Sequence, residues 1–308
     1  MRRIVAAFGA VLVVATSASP QPRIDRNVVY GMYSGLALLM DVHHPAAPNG
    51  YGVVLIPGSG WHAPLGYDAP ALKDGGSAAF AYVAPLLAAG YSVFIVNHRA
   101  APRFRYPAAV EDVQRAVRYV RGHAREYGIS ADRIGALGYS SGAHLAALLG
   151  VLDGSGSAED VDPVNRLSSR VACVVANATP TAFDRSAGPA AVSFIGLPPP
   201  IPGAQNPAGR IPDALKLYRD VSPIAHVSPA AAPLLLLHGD ADETVPFEQS
   251  ELMAKAMQQA GAVAKLIRLP GGGHRFALER ANHPDWPDIF AEGIAWFDRY
   301  LNVSVHRH

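Results

Sequence analysis

A chain of 308 residues, half of them hydrophobic and 17% charged, has the apolar content for one sizeable core and too little charge to stay disordered. Basic and acidic side chains number 26 and 25, for a formal charge of +1, and like charges nowhere run five or six together, which excludes a nucleic-acid groove and a polybasic membrane patch. The expected partner is a small or uncharged molecule.

At the N-terminus, Arg2 and Arg3 precede an uncharged apolar run from Ile4 to Ala15, and small residues follow at Thr16 and Ala18. This is the layout of a secretory signal peptide, with cleavage expected between Ser17 and Gln21. The run falls short of the roughly 20 residues of a membrane span, leaving an uncleaved anchor or a buried N-terminal helix as the alternatives. The expected organisation is a signal peptide over 1–20 and one domain over 21–308, secreted or periplasmic, with no stable membrane span after cleavage. Cys173 is the only cysteine and lies in VACVVANA, so it is expected to be a buried small hydrophobe.

Strand-length apolar runs then alternate with helical stretches. In chain order LALLMDV and YGVVLIP read as strands, FAYVAPLLAAG as a helix, YSVFIVN as a strand and AAVEDVQRAVRYVRGHAREYG as a helix. RIGALGY is a strand opening into the helix SGAHLAALLG, RVACVVANA and APLLLLHG are strands, FEQSELMAKAMQQAG is a helix, AKLIRLP a strand and IFAEGIAWFDRYL the last helix. Several strands are apolar at successive positions, as strands covered on both faces are. Val110, Val113, Val117 and Val120 recur at helical spacing, so that face packs on a sheet. The pattern predicts an α/β architecture, a mostly parallel central sheet with helices on both faces. LALLMDV and YGVVLIP are joined only by HHPAAPNG, too short for a helical crossover, and are expected to be antiparallel. Two stretches break the rhythm: WHAPLGYDAPALKDGGSAAF, and a Pro/Gly-rich insertion at about 184–213 whose Phe194, Ile195 and Leu197 suit a loop packed over something.

Chemistry concentrates where strands end. Ser140 sits between Gly138 and Gly142, where RIGALGY gives way to SGAHLAALLG. A G-x-S-x-G match is weak alone, but strand–turn–helix is the setting of a nucleophile elbow, and glycines there let a sharp turn pass its neighbours. A serine hydroxyl is a poor nucleophile until a base takes its proton. His274 stands at the tip of a glycine-rich loop in LIRLPGGGHRF, and the acids of LLLLHGDADETVP follow another strand, placed to hold the imidazole in one tautomer. Among the other histidines, His238 is suited to bracing the acid loop, His144 to internal packing, and His283 to replacing His274. Oxyanion donors are expected from PGSGWHAP, as the Ser59 and Gly60 amides, with the Ser141 amide beside the nucleophile. Trp61 and Tyr139 are candidate aromatic contacts for a substrate, with ordinary packing as the alternative.

These residues resemble the α/β-hydrolase superfamily, in particular the esterase/lipase group that includes hormone-sensitive-lipase-like and bacterial feruloyl- or acetyl-esterase-like enzymes. The resemblance runs from about Leu36 to the C-terminus and rests on NHRAAPRFRYPAAVEDV, DRIGALGYSSGAHLA, SPIAHVSPAAAPLLLLHGDADETVP and GGGHRF. It implies a triad of Ser140, Asp242 and His274, the H-G-x-x-D-x-x-V-P pattern choosing Asp242 over Asp240. One departure stands out: where the family carries His-Gly-Gly-Gly, this chain has Pro57, Gly58, Ser59 and Gly60. The expected function is an exported serine esterase acting on short acyl or aryl esters, as small molecules or on plant polysaccharides, with no metal or cofactor needed. A prolyl-oligopeptidase-like peptidase, a lipase and a non-catalytic binding protein of the same fold are the alternatives.

Overall fold

The computed structural model describes residues 23–185, 187–198 and 211–302. The expected signal peptide and the centre of the Pro/Gly-rich insertion lie outside the described residues. Eight strands form one sheet: β1 (Arg23–Tyr33), β2 (Leu36–His44), β3 (Gly52–Ile56), β4 (Ser92–Val96), β5 (Ile134–Tyr139), β6 (Cys173–Asn177), β7 (Leu234–Gly239) and β8 (Ala264–Leu269). Their spatial order is β1-β2-β4-β3-β5-β6-β7-β8. The last six in that order are parallel, and β1 and β2 form an antiparallel hairpin whose second strand pairs with β4.

Every residue of β3 to β7 is buried, which explains their continuous apolar runs, since both sheet faces are covered. Helices α1 (Val83–Ala88), α2 (Ala108–Gly122) and α3 (Ser141–Val151) follow β3, β4 and β5 in different ways. The short α4 (Pro189–Ile195) and α5 (Ile211–Asp220) flank the insertion, and α6 (Glu248–Gln259), α7 (Phe276–Glu279) and α8 (Ile289–Leu301) complete the set. Alternate strand residues divide the core in two. Val54, Ile56 and Phe94 pack with Val110, Val113, Val117 and Val120 of α2, with α3 and with Met253 and Met257 of α6. Val53, Leu55 and Val93 face the other way, against Leu86 of α1 and Ile289, Trp296 and Phe297 of α8. The expected layers are present.

β2 runs opposite to β3, as expected, and pairs with β4, because β3 lies between β4 and β5. Other sequence readings need correction. The helix read through HAREYG stops at Gly122, and FAYVAPLLAAG is a 3-10 turn over Ala78–Tyr82 followed by a helix only from Val83. The first strand, RIDRNVVYGMY, went unread: it lies at the sheet's edge with most side chains exposed, and its pairing with β2 slips between Asp25 and Val28 and again between Val29 and Gly31. Two slips of that kind destroy the period-two alternation by which a half-buried strand is recognised.

Candidate active site

The carboxyl ends of β3, β5, β7 and β8 all open on one rim of the sheet, so segments far apart in sequence meet there. At the end of β5, Ser140 has φ 54° and ψ −122°, a conformation outside the ordinary regions for a side-chain-bearing residue. The turn is too tight for neighbours with side chains. A Cβ on Gly138 would lie 2.2 Å from the carbonyl oxygen of Gly142, and one on Gly142 would lie 2.1 Å from that of Ile56. Asn177, opposite Tyr139 on β6, pins the turn: its carbonyl accepts from Ser140 N at 2.8 Å, its Nδ2 donates to Gly138 O at 3.1 Å, and its Oδ1 accepts from Tyr82 Oη at 2.7 Å.

His274 follows β8. Its Nδ1–H donates to Asp242 Oδ2 at 2.8 Å, which leaves Nε2 to accept from Ser140 Oγ at 3.1 Å. The imidazole thus bridges hydroxyl and carboxylate. Burial by itself would raise the Asp242 pKa, but hydrogen bonds from His238, His274 and the Val245 amide hold it well below the usual carboxylate range. The other carboxylate oxygen accepts the Thr244 and Val245 amides, each at 2.8 Å. His238 braces this loop as expected, with Nε2 2.9 Å from Val245 O and 3.3 Å from Asp242 Oδ2, and Nδ1 2.6 Å from Ser250 Oγ. Asp240 turns away, to Arg268 and to the Gly271 amide. His283 stacks on Trp286, with ring centroids 3.9 Å apart.

The glycine-rich loop after β3 lies alongside. Among its amides, Gly58 N donates to Ser77 Oγ at 2.8 Å and Ser59 N donates to Ser141 Oγ at 2.9 Å. The Ser59 amide is therefore committed inside the protein, which removes it from the expected oxyanion donors. Gly60 N and Ser141 N have no partner among the described residues. Trp61 is 5% exposed and its indole N–H donates to His144 Nδ1, while Tyr139 is 2% exposed and its hydroxyl donates to His274 O. Both polar atoms are spent internally.

Two cavities meet at Ser140. One, of about 220 Å³, is lined by Gly58, Ser59 and Gly60, by Gly76 to Ala78, and by Tyr139, His274 and Arg275. The other, of about 120 Å³, is lined mainly by apolar groups, including Trp61, Phe183, Ala190, Ala191, Val245 and Pro246. The first half of the insertion thus forms a wall: α4 supplies both alanines, Phe194 stacks on Trp61, and His62 accepts from Ser193 Oγ at 2.9 Å. Ser77, Asn177, His62 and Ala190, Ala191 and Ser193 of α4 went unread in the sequence, whereas Phe194 packs over Trp61 in keeping with the expected covering loop. Asn177 alone had a signal, being a polar residue at the end of a buried strand.

The chain matches the family model described as BD-FAE over residues 40–257. It is 29% identical to "Esterase LipC" of Mycobacterium tuberculosis across 82% of this chain, and 30% identical to "Esterase LipQ" of the same organism across 65%. It spans 60% and 46% of the lengths of these two relatives. Among solved structures, the truncated form of a carbohydrate esterase from gut microbiota superposes with a TM-score of 0.72 at 27% identity, covering 94% of this chain and 99% of that one. The native Est2 esterase of Thermogutta terrifontis does so with a TM-score of 0.63 at 22% identity, covering 94% and 95%. The fold is that of the α/β-hydrolase esterases.

Proposed function

Because this chain belongs to the BD-FAE family, we propose that it hydrolyses carboxylic esters through an acyl-enzyme on Ser140. The observation that carries the reading is the His274 imidazole standing between Ser140 Oγ at 3.1 Å and Asp242 Oδ2 at 2.8 Å. In this reading Ser140 Oγ attacks the ester carbonyl while His274 Nε2 takes its proton. Asp242 keeps the proton of Nδ1 in place and stabilises the imidazolium that forms. The tetrahedral oxyanion is held by the amides of Gly60 and Ser141, neither of which has another partner among the described residues. His274 then returns the proton to the leaving alcohol, and water, activated the same way, releases the acid.

The same geometry supports an assignment of the two cavities. The group that protonates the leaving oxygen must lie on the alcohol side, so the larger cavity, which contains His274 and Arg275, receives the alcohol. The smaller apolar cavity receives the acyl group, and its volume of about 120 Å³ suits a short chain. The likeness to a carbohydrate esterase supports a sugar hydroxyl as the esterified group. The basic-then-apolar N-terminal layout supports export by a signal peptide. The test is a panel of acetyl-xylan, feruloyl esters and long-chain triglycerides, run with the native chain and with Ser140→Ala. Acetyl ester cleavage that disappears in Ser140→Ala is expected; undiminished turnover in that variant refutes the mechanism.

A further inference from the structure

Gly60 is bracketed. The residue before it donates from its amide to Ser141 Oγ at 2.9 Å, and the residue after it donates from its indole to His144 Nδ1 at 3.0 Å. Ser141 and His144 lie three apart on α3, hence on one face of the helix that begins at the nucleophile. Gly60 and Trp61 both have left-handed φ values, 63° and 60°. For glycine this is easy, but an aromatic residue persists there only where its surroundings over-determine it. Trp61 meets that condition: its ring stacks on Phe194 at 12° and 5.2 Å, and its carbonyl accepts from Ala101 N at 2.8 Å.

We propose that Ser141 Oγ and His144 form a clamp that sets the position of the Gly60 amide relative to the Ser141 amide, His144 acting as a positioning residue through Trp61. The proposal rests on the ester-hydrolysis reading above, since those two amides are its oxyanion donors.

His144 is built for the task. It is fully buried, and its Nε2–H donates to Val221 O at 2.8 Å. That bond fixes the tautomer, leaving Nδ1 with a lone pair aimed at the indole. Burial lowers its pKa to about 4, so the lone pair is present at neutral pH. Its aromatic neighbours are Trp61, Phe183 and Phe194.

The experiment compares Trp61→Phe, which keeps the ring stack and loses the N–H, with His144→Leu, which removes the acceptor, and His144→Asn, which returns an amide oxygen near the Nδ1 position. Rates are expressed per active site, counted by fluorophosphonate labelling run to completion. Trp61→Phe and His144→Leu are expected to lower kcat by about ten-fold to a hundred-fold with KM little changed. The double variant should be no worse than the poorer single one, because both cut the same bond, and His144→Asn should recover most of the loss. Unchanged kcat per labelled site in both single variants, with only thermal stability reduced, would overturn the proposal by making the bond merely structural. Ser140→Ala is run beside them. If it retains full activity, the nucleophile reading and this proposal fail together; if it is inactive while the clamp variants match the native chain, only the clamp fails.

Discussion

The hydroxyl of Tyr139 donates to the main-chain oxygen of His274 at 2.9 Å, so the residue preceding Ser140 holds the loop that carries His274. The two are distant in sequence, and each lies at the end of a different strand. The edge-to-face approach of their rings, 6.2 Å between centroids at 83°, restricts the imidazole further.

Tyr139→Phe should therefore loosen His274 without removing it. A drop in kcat of about ten-fold is expected with KM unchanged, together with a stability loss of about 1 kcal/mol from the missing hydrogen bond. Steady-state kinetics and urea denaturation of the two forms check this.

The neighbouring acids should behave oppositely. Asp242→Asn would present an amide where the Nδ1–H needs an acceptor and is expected to lower kcat by about 10⁴-fold. Asp240→Asn loses the charge that pairs with Arg268 while its amide oxygen can still accept the Gly271 amide, and should leave kcat within a few-fold of the native value. Comparable losses in both would show that the acid has been misassigned.

Acid should weaken the fold over a definite window. The His144 pKa is lowered by burial from 6.5 to about 4, so between these values the unfolded chain binds a proton that the folded chain refuses. Stability from this site is complete above pH 6.5, declines as pH falls towards 4, and declines no further below it, a span of about 3 kcal/mol. Buried His98, also lowered, adds to the same slope. The Asp242 contribution, with its pKa depressed, is lost only below the usual carboxylate value, outside this window. Urea denaturation at pH 7, 5.5 and 4 should give a shallower decline for His144→Leu than for the native chain.

Acyl selection should respond to α4. Ala190 lines the smaller cavity, and its Cβ lies 3.7 Å from where a Cβ on Gly60 would stand. Ala190→Leu should narrow the cavity, lowering the butanoate-to-acetate ratio of kcat/KM by about ten-fold, since each methylene a pocket accommodates is worth about 1 to 3 kcal/mol. A ratio unchanged by this substitution would assign the acyl group to the other cavity.

How much of this was legible beforehand follows burial. Strands β3 to β7 announce themselves because both faces are covered and apolar residues run almost without a break, with Ser92, Asn177 and His238 as polar residues at or near the strand ends. The elbow was legible because two glycines and a serine stand at a strand–helix boundary, and His274 because a glycine-rich loop presents it at a strand's end. The choice of Asp242 over Asp240 came from family resemblance, since periodicity does not separate two acids in one loop. What stayed hidden were contacts between loops. Ser77 under Gly58, Ser193 against His62 and Ser141 under Ser59 are single polar residues with no period, and only the folded chain brings their partners near. The internal role of the Tyr139 hydroxyl was hidden likewise, because nothing local says that His274 O will arrive above it.

The slipped pairing at β1 bears on how the molecule keeps to itself. This outermost strand carries exposed Ile24, Val29, Met32 and Tyr33, and a long flat strand so decorated would invite another polypeptide to hydrogen-bond beside it. The two irregularities at Asp25/Val28 and Val29/Gly31 twist and bend the ribbon. An incoming partner would find neither a straight ladder nor a constant phase of side chains, so this border works as a built-in defence against aggregation.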